Sequence, residues 1–219
     1  MCKPRLLRAE EIDCRAQQVK QHGCQLLLYK DARCDMAILD ETFGEMNWKR
    51  SHEIKGGMNC CTISIWDSDK KEWVSREDVG IPAPTEAEKS QFSDAFKRAS
   101  TNWGVGRELY SAPFIWVKLD ESETNLNDKS KKYQLQPQIS FRVSEIYYFE
   151  REICGLTIVD QAGKERYTFG CDIASGVKQI SEAADEATLK QVWKNWSKVS
   201  HSALLAACKQ RMNQLNISK

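Results

Sequence analysis

The strongest constraint on the fold is a change of hydrophobic period within residues 47–103. In the segment "NCCTISIWD", Cys61, Ile63 and Ile65 alternate with Thr62, Ser64 and Trp66. This period of two is typical of a strand with one buried face. Flanking segments "NWKRSHEI" and "EWVSREDVG" are similar in length and are joined to it by the Gly56-Gly57 pair and the polar turn "DSDKK". Strand, glycine turn, strand, polar turn and strand together predict an antiparallel meander.

The period then changes to that of a helix. Pro82 and Pro84 end the third strand, and Thr85 followed by Glu88 matches a capping box at a helix start. A helix is predicted over residues 86–103, so this part of the chain should fold as β-β-β-α. The fold class is therefore α+β, with an antiparallel β-β-β-α core.

Patterns outside the core predict its other elements. "LLRAEEIDCRAQQVKQ" places Leu7, Ile12 and Val19 among charges, which favours a surface helix; "CQLLLYK" favours a buried strand, and "ARCDMAILDETFG" a helix stopped by Gly44. Residues 120–138 have the composition of an exposed loop, and this composition is also compatible with disorder. Further strands, including a hairpin, are predicted at "ISFRVSEIYYFE", "CGLTIVD" and "ERYTFG".

Two short helices are predicted at the C-terminal end, in "EATLKQVWKNW" and "SALLAACKQRMNQL". The predicted organisation is one domain over residues 1–178, with the polar loop at about 120–138, and a small helical C-terminal module over residues 179–219.

Composition restricts the classes of function. The net charge is +1, so any phosphate binding must come from a local patch, or from a patch repeated around an oligomer. The nine cysteines are irregularly spaced and contain no Cys-x-x-Cys pair, and the three histidines lie far apart, which disfavours a zinc site. The charged N-terminal segment, with no apolar stretch, leads us to expect no signal peptide, reduced thiols and a cytoplasmic protein. No apolar run approaches the about 20 residues of a membrane span, so no membrane association is expected. For the adjacent Cys60 and Cys61 we expect one core thiol and one surface or interface thiol.

The segment "SDAFKRASTNWGVGRELY" is the centre of the functional question. On a helical wheel, one face is apolar and the other polar, with Lys89 nearer the apolar edge; the apolar residues are Phe92, Ala95, Phe96, Ala99 and Trp103, and the polar ones Ser90, Asp94, Lys97, Arg98 and Thr101. The polar face has two interpretations. Asp94 is spaced for ordinary ion pairs with Lys97 and Arg98 on a solvated surface. Alternatively, Lys97 and Arg98 contact phosphates while Asp94 orients one of them.

The glycines after this helix do not form a nucleotide loop. Gly104 suits a left-handed helix cap and Gly106 a close turn, but a Gly-Lys-Ser/Thr sequence is missing and the turn follows a helix. Arg107 comes directly after the turn and is a candidate contact to DNA or to a neighbouring protomer. Four further cations are open between phosphate contacts and solvated charges: Lys30, Arg33, Lys49 and Arg50.

The motifs "LDETFGEMNWKRSHEI", "EWVSREDVG" and "EAEKSQFSDAFKRASTNWGVGRELY" resemble those of the Rad fifty-two / Rad twenty-two superfamily of single-strand annealing proteins. The resemblance is greatest to the phage and prophage-borne bacterial branch, where "DAFKRA-NWG-GRELY-APFIW" is a hallmark. It is strong over residues 26–117 and weaker to about residue 170.

The resemblance implies rings or helical filaments that bind single-stranded DNA in a basic groove and anneal complementary strands without ATP. It places the family's Asp-x-x-Lys-Arg pattern on Asp94, Lys97 and Arg98, and an upstream basic residue on Lys89. Two family positions differ, since Glu45 replaces an aromatic residue and Thr101 a basic one. No catalytic residue, metal or cofactor is implied. The implied partners are single-stranded DNA, further copies of the chain, and a host single-strand-binding protein or phage exonuclease, in a bacterial cytoplasm.

Two other functions remain open from the sequence. A passive single-stranded-DNA-binding protein would use the same groove without annealing. A nuclease would need a cluster of carboxylates for metal ions, and the adjacent Glu77 and Asp78 are expected to face opposite sides of a strand.

Overall fold

The computed structural model describes residues 2–81 and 87–217, and for residues 87–89 it describes the backbone alone. Thr85 and the start of the predicted capping box lie outside the described residues. The strands are β1 Asp13–Lys20, β2 Gly23–Tyr29, β3 Trp48–Lys55, β4 Met58–Asp67, β5 Glu72–Val79, β6 Ile115–Lys118, β7 Thr124–Asn127, β8 Lys132–Leu135, β9 Phe141–Phe149, β10 Glu152–Asp160 and β11 Glu165–Gly170. The α-helices are α1 Ala32–Phe43, α2 Ala87–Asn102, α3 Ile173–Ser181, α4 Glu186–Trp196 and α5 Ser202–Gln214.

The predicted β-β-β-α unit is present. Strands β3, β4 and β5 form a three-stranded antiparallel sheet in that order, and α2 packs against β4 and β5. The inward side chains of β4 are fully buried, at 0% exposure for Cys61 and Ile63 and 1% for Ile65. The protein is therefore α+β with antiparallel sheets, as the change of period predicts.

A second sheet of six strands has the order β11-β10-β9-β1-β2-β6, and neighbouring strands pair antiparallel. One buried cluster extends from this sheet through α1 and α2 to the small sheet, and it includes Leu26, Ile38, Phe96 and Ile115. The strand that positions the candidate site is β2, which lies between β1 and β6 and whose last residues lead through Lys30 into α1.

Two predictions of local structure are wrong. The segment predicted as a surface helix contains β1, preceded by a 3₁₀ turn at Ala9–Glu11. Its register with β2 shifts between Ala16 and Gln18, so this bulge breaks the alternation that would have identified a strand. The predicted loop at residues 120–138 contains the hairpin β7–β8, where Asn127 accepts hydrogen bonds from the turn amides of Lys129 and Ser130.

The C-terminal helices form their own buried cluster, which includes Ile173, Ile180, Leu189 and Leu204. Helices α4 and α5 match the two predicted ones, whereas α3 is an additional helix, capped by Asp172 accepting from the Ser175 amide. The predicted domain boundary at residue 178 falls within α3.

The adjacent thiols of Cys60 and Cys61 are both buried, so the prediction of one surface or interface thiol is wrong. All nine cysteines are free. Within residues 2–81 and 87–217, no helix is long and apolar enough to cross a membrane.

Candidate nucleic-acid interface

The apolar face of α2 fixes the helix on the small sheet. Ala95, Phe96 and Ala99 are at most 1% exposed, and the indole Nε1 of Trp103 donates to the carbonyl of Ile63 at 3.1 Å. Phe92, predicted to dock with them, is instead 44% exposed at the sheet margin. The docked residues hold the opposite face of α2 in one orientation.

That opposite face borders an open groove of about 290 Å³, which we call the α2 groove. It runs between α2, the end of β2 and the turn that follows α2. Its lining residues are Leu28, Tyr29, Lys30, Asp94, Lys97, Arg98, Thr101, Gly106, Leu109 and Tyr110. The groove thus combines the predicted Lys-Arg pair with two tyrosines from other elements.

Lys97 is the cation of this groove whose charge is least compensated. Its side chain is half-buried, and no described carboxylate lies within ion-pair distance of its ammonium. The carbonyl of Lys97 accepts from the Thr101 hydroxyl at 2.9 Å, a contact within α2 that leaves the ammonium available. Lys97 can therefore meet an anion that enters the groove.

Arg98 also lines the groove, but its charge is partly neutralised. Its Nε lies 3.3 Å from Oδ1 of Asp78 on β5, where the side chains are 39% and 25% exposed. Asp94 contacts neither basic residue among the described side chains; its Oδ2 accepts from the backbone amide of Ile81 at 3.0 Å. The prediction that Asp94 orients the basic pair is wrong, because Asp94 anchors the chain after β5 and Asp78 holds Arg98.

Lys30 lines the groove from below and is only 5% exposed. Its ammonium donates to Oδ1 of Asp35, which is fully buried, and lies 3.5 Å from the Lys97 carbonyl. Burial raises the pKa of Asp35 to about 6, although the nearby Lys30 charge acts in the opposite direction. The prediction of Lys30 as a DNA contact does not fit this geometry, because the side chain is committed to an internal ion pair.

Three further predicted cations, Arg33, Lys49 and Arg50, lie outside the lining of the groove. Arg33 is highly exposed and pairs with Asp31 at 3.0 Å, and this pair lowers the pKa of Asp31. Lys49 lies over the Trp73 ring at 4.2 Å, and Arg50 lies over Phe96 at 4.6 Å. Neither of those two has a carboxylate partner among the described residues. The side chain of Lys89 lies outside the described ones.

Arg107 has a structural role that the sequence did not reveal. Gly104 takes a φ of 95°, the left-handed conformation predicted for it, and Gly106, predicted to form a close turn, takes a φ of 66°. Their turn brings the Arg107 guanidinium back onto the end of α2, where Nε and Nη2 donate to the Thr101 carbonyl at 3.1 and 2.9 Å and Nη2 also donates to the Asn102 carbonyl at 2.9 Å. Arg107 therefore caps the helix whose other residues line the groove.

Arg107 also lines a second depression, of about 330 Å³, which we call the Arg107 pocket. Its lining residues are Cys2, Lys3, Pro4, Phe43, Arg76, Trp103, Gly104, Arg107 and Arg151. Sequence reasoning identified only Arg107 among these cations. Lys3, Arg76 and Arg151 come from distant parts of the chain, and no motif marks them.

The described residues contain no group of three or more His, Cys, Asp or Glu side chains arranged to hold a metal ion. Glu77 contacts Lys55 at 2.7 Å on the outer face of the small sheet, whereas Asp78 contacts Arg98 beside α2. The two carboxylates thus face opposite sides of β5, as alternation predicts. What the groove offers chemically is electrostatic and aromatic contact with an anionic ligand.

No protein-family model matches the chain. The chain is similar to the single-stranded DNA-binding protein DdrA of Deinococcus radiodurans, with 33% identity over 100 residues. The similarity covers 44% of this chain and 46% of that protein, so the chain spans less than half the length of this relative.

Proposed function

We propose that this protein binds single-stranded DNA along the α2 groove and anneals complementary strands without nucleotide hydrolysis, as a mediator of DNA recombination. The observation that carries the proposal is Lys97, a half-buried cation that borders an open groove without a carboxylate partner among the described residues. The similarity to a protein named for single-stranded DNA binding supports the same ligand.

The groove suits a strand held by its backbone. Lysine binds phosphate without reading sequence, which annealing requires because any complementary pair must be accepted. Tyr29 and Tyr110 line the same groove and are 41% and 75% exposed, so their rings are available to stack on bases. The strand would then be held at its phosphates, with part of each base accessible to an incoming complement.

The proposal includes self-assembly into a ring or filament with a Rad fifty-two-like annealing fold. A net charge of +1 leaves one copy with few cations in excess, whereas repeated copies would align one Lys97 after another. Large apolar side chains are exposed on several elements and would be covered in part by a neighbouring copy; they include Met46, Ile54, Ile81 and Phe114. Mass photometry with and without an oligonucleotide tests this assembly.

The test of binding and annealing uses the full chain with fluorescently labelled complementary oligonucleotides and no nucleotide. We expect tight binding of one strand, measured by anisotropy, and annealing faster than the spontaneous reaction, measured by energy transfer. Lys97→Gln should weaken binding about tenfold, equivalent to about 1.4 kcal/mol. Lys209→Gln, an exposed lysine on α5, is the control that removes the same charge elsewhere. Equal effects of the two substitutions would exclude the groove as the binding site.

A second candidate function is passive binding and protection of single strands. It is favoured by the name of the relative, which states DNA binding and no annealing. The same assay separates the two functions, because a passive protein binds each strand yet leaves the annealing rate at or below the spontaneous value.

A further inference from the structure

The Arg107 pocket concentrates positive charge more than the α2 groove does. Among its described lining residues, four are cationic, namely Lys3, Arg76, Arg107 and Arg151, and none is acidic. Among the described residues, none of the four has a carboxylate within ion-pair distance. Their charges are therefore not neutralised by acids, although they converge on one depression.

Backbone carbonyls and an aromatic ring hold three of these cations in place. Arg76 donates to the Asn102 carbonyl and stacks over the Trp103 ring at 4.5 Å, while Arg107 donates to the carbonyls of Thr101 and Asn102. Nη2 of Arg151 donates to the Pro4 carbonyl at 2.9 Å. A guanidinium carries five N–H donors, so each arginine keeps donors beyond these contacts for a ligand.

Arg151 occupies a backbone conformation that arginine rarely adopts. It follows Glu150 in the turn between β9 and β10, and their φ values are 68° and 49°, a left-handed pair in which asparagine and glycine are usual. The turn nevertheless carries an arginine that points its guanidinium at the pocket. A two-residue hairpin turn requires positive φ at both positions, so the hairpin fixes the backbone from which Arg151 reaches the pocket.

The pocket adjoins the α2 groove through one short segment. Thr101 and Gly106 line the groove, Gly104 and Arg107 line the pocket, and Arg107 donates to the carbonyl of Thr101. A strand that lies in the groove and continues past the end of α2 meets the pocket next.

We propose that the Arg107 pocket binds phosphate groups of the single-stranded DNA that occupies the α2 groove, as a second backbone contact. Arginine matches phosphate because its planar fork donates two parallel hydrogen bonds to a pair of oxygens. The ring of Trp103 and the small Gly104 leave room for an anion beside three guanidinium groups. None of the described lining residues is acidic, so no carboxylate there would repel the anion. This proposal rests on the proposed function, since it adds a site to the same strand.

The test is the salt dependence of oligothymidylate binding by the full chain. For single strands, the slope of log affinity against log salt falls by about 0.7 for each phosphate contact that is lost. The double variant Lys3→Gln with Arg151→Gln should therefore lower the slope by about 1.4. These two residues are chosen because, unlike Arg76 and Arg107, they do not cap α2.

Two controls separate phosphate contact from general effects. Lys194→Gln with Lys209→Gln removes two charges from exposed positions on α4 and α5 and should leave the slope unchanged. The double variant Lys3→Arg with Arg151→Lys keeps both charges. Its slope should recover at least half of the difference between the glutamine double variant and the wild type. Thermal unfolding of each variant reports whether the fold is kept.

The outcomes are distinct. A reduced slope in the pocket variant alone supports the proposal. Equal slopes in the pocket variant and the wild type, or equal reductions in the pocket and helix variants, overturn it while DNA binding itself stands. If the wild type binds no oligothymidylate at low salt, the proposed function fails and the pocket proposal fails with it. Titration of the wild type with inorganic pyrophosphate, followed by the side-chain Nε–H resonances of arginine, then shows whether the pocket takes free phosphate.

Discussion

The α2 groove and the Arg107 pocket are lined in part by the same turn, yet their cations are held in opposite ways. In the groove, Lys30 pairs with buried Asp35 and Arg98 pairs with Asp78, so Lys97 is left as the main uncompensated charge. In the pocket, Arg76, Arg107 and Arg151 contact carbonyl groups. A carbonyl group fixes a guanidinium in place and leaves its formal charge uncancelled. A carboxylate fixes the guanidinium and also cancels its charge.

The difference shows that the number of basic residues lining a site does not measure its attraction for phosphate. In the groove, two of the three basic residues are paired with Asp35 and Asp78 and the carboxylate of Asp94 is part of the lining, whereas the described lining of the pocket holds four cations and no carboxylate. Lys30 and Arg98 should therefore contribute mainly to structure in a single copy, and Lys97 and the pocket cations to ligand binding.

The largest expected effect tests the structural role of Lys30. Lys30→Met leaves the buried Asp35 carboxylate without its cation, and we expect a loss of about 3–5 kcal/mol in the free energy of unfolding at pH 8. Lys97→Met makes the same change at a cation that has no carboxylate partner among the described residues, and should cost less than about 0.5 kcal/mol. Urea unfolding followed by circular dichroism measures both.

The pH dependence of this variant follows from Asp35. Burial raises its pKa in the folded state to about 6, above the about 3.9 of an unfolded chain, so the folded protein binds more protons and this group makes stability fall as pH rises between those values. Without Lys30 the folded-state pKa rises further. The deficit of Lys30→Met should thus be smaller at pH 5 than at pH 8, and an equal deficit at both would show that Asp35 is not the cause.

The next effect separates the two roles of Arg107. Lysine at this position keeps the charge but cannot bridge the Thr101 and Asn102 carbonyls as a guanidinium does, so Arg107→Lys should lower the free energy of unfolding by about 1–2 kcal/mol. Its salt slope for oligothymidylate should stay near that of the wild type, whereas Arg107→Gln should lose both stability and slope. Loss of slope in the lysine variant would mean that the fork itself contacts the ligand.

Much of the fold is encoded in local patterns. The meander of β3–β5 is defined by alternation and by Gly56 and Gly57, whose φ values of 59° and 79° explain why glycines stand at this turn. The helix α2 follows from a change of period that a sheet cannot accommodate. Strand β1 is encoded less clearly, because its bulge between Ala16 and Gln18 breaks the period of two.

The candidate site could be predicted only where its residues share one element. The wheel placed Lys97 and Arg98 on the polar face of α2, and both line the groove. The partner of Arg98 is Asp78, which is brought to it by packing of α2 on β5, and the helical spacing instead pointed to Asp94. The cations of the Arg107 pocket are brought together by tertiary structure from positions up to 148 residues apart in the chain, from Lys3 to Arg151, so no local pattern could reveal the pocket.

A smaller effect tests whether the ion pair between Asp78 and Arg98 weakens the binding of DNA in the α2 groove. Asp78→Asn removes the charge that neutralises Arg98, while its amide oxygen can still accept from the Val79 amide. We expect about fivefold tighter binding of oligothymidylate, equivalent to about 1 kcal/mol. Glu77→Gln removes the neighbouring charge on the outer face of β5 and is the matched control. Equal gains in both variants would point to net charge rather than to Arg98.

The smallest effect concerns Arg33, which lies outside both sites. Its side chain is 86% exposed and binds Asp31 through two contacts, Nε to Oδ1 at 3.0 Å and Nη2 to Oδ2 at 3.3 Å. Solvent screens such an exposed pair, so it contributes little to stability, and it presents little net charge to a strand. Arg33→Gln should therefore change oligothymidylate affinity less than about twofold, in the assay where Lys97→Gln costs about tenfold. A loss above about fivefold would place the strand across the start of α1, and the path from the α2 groove to the Arg107 pocket would then have to be redrawn.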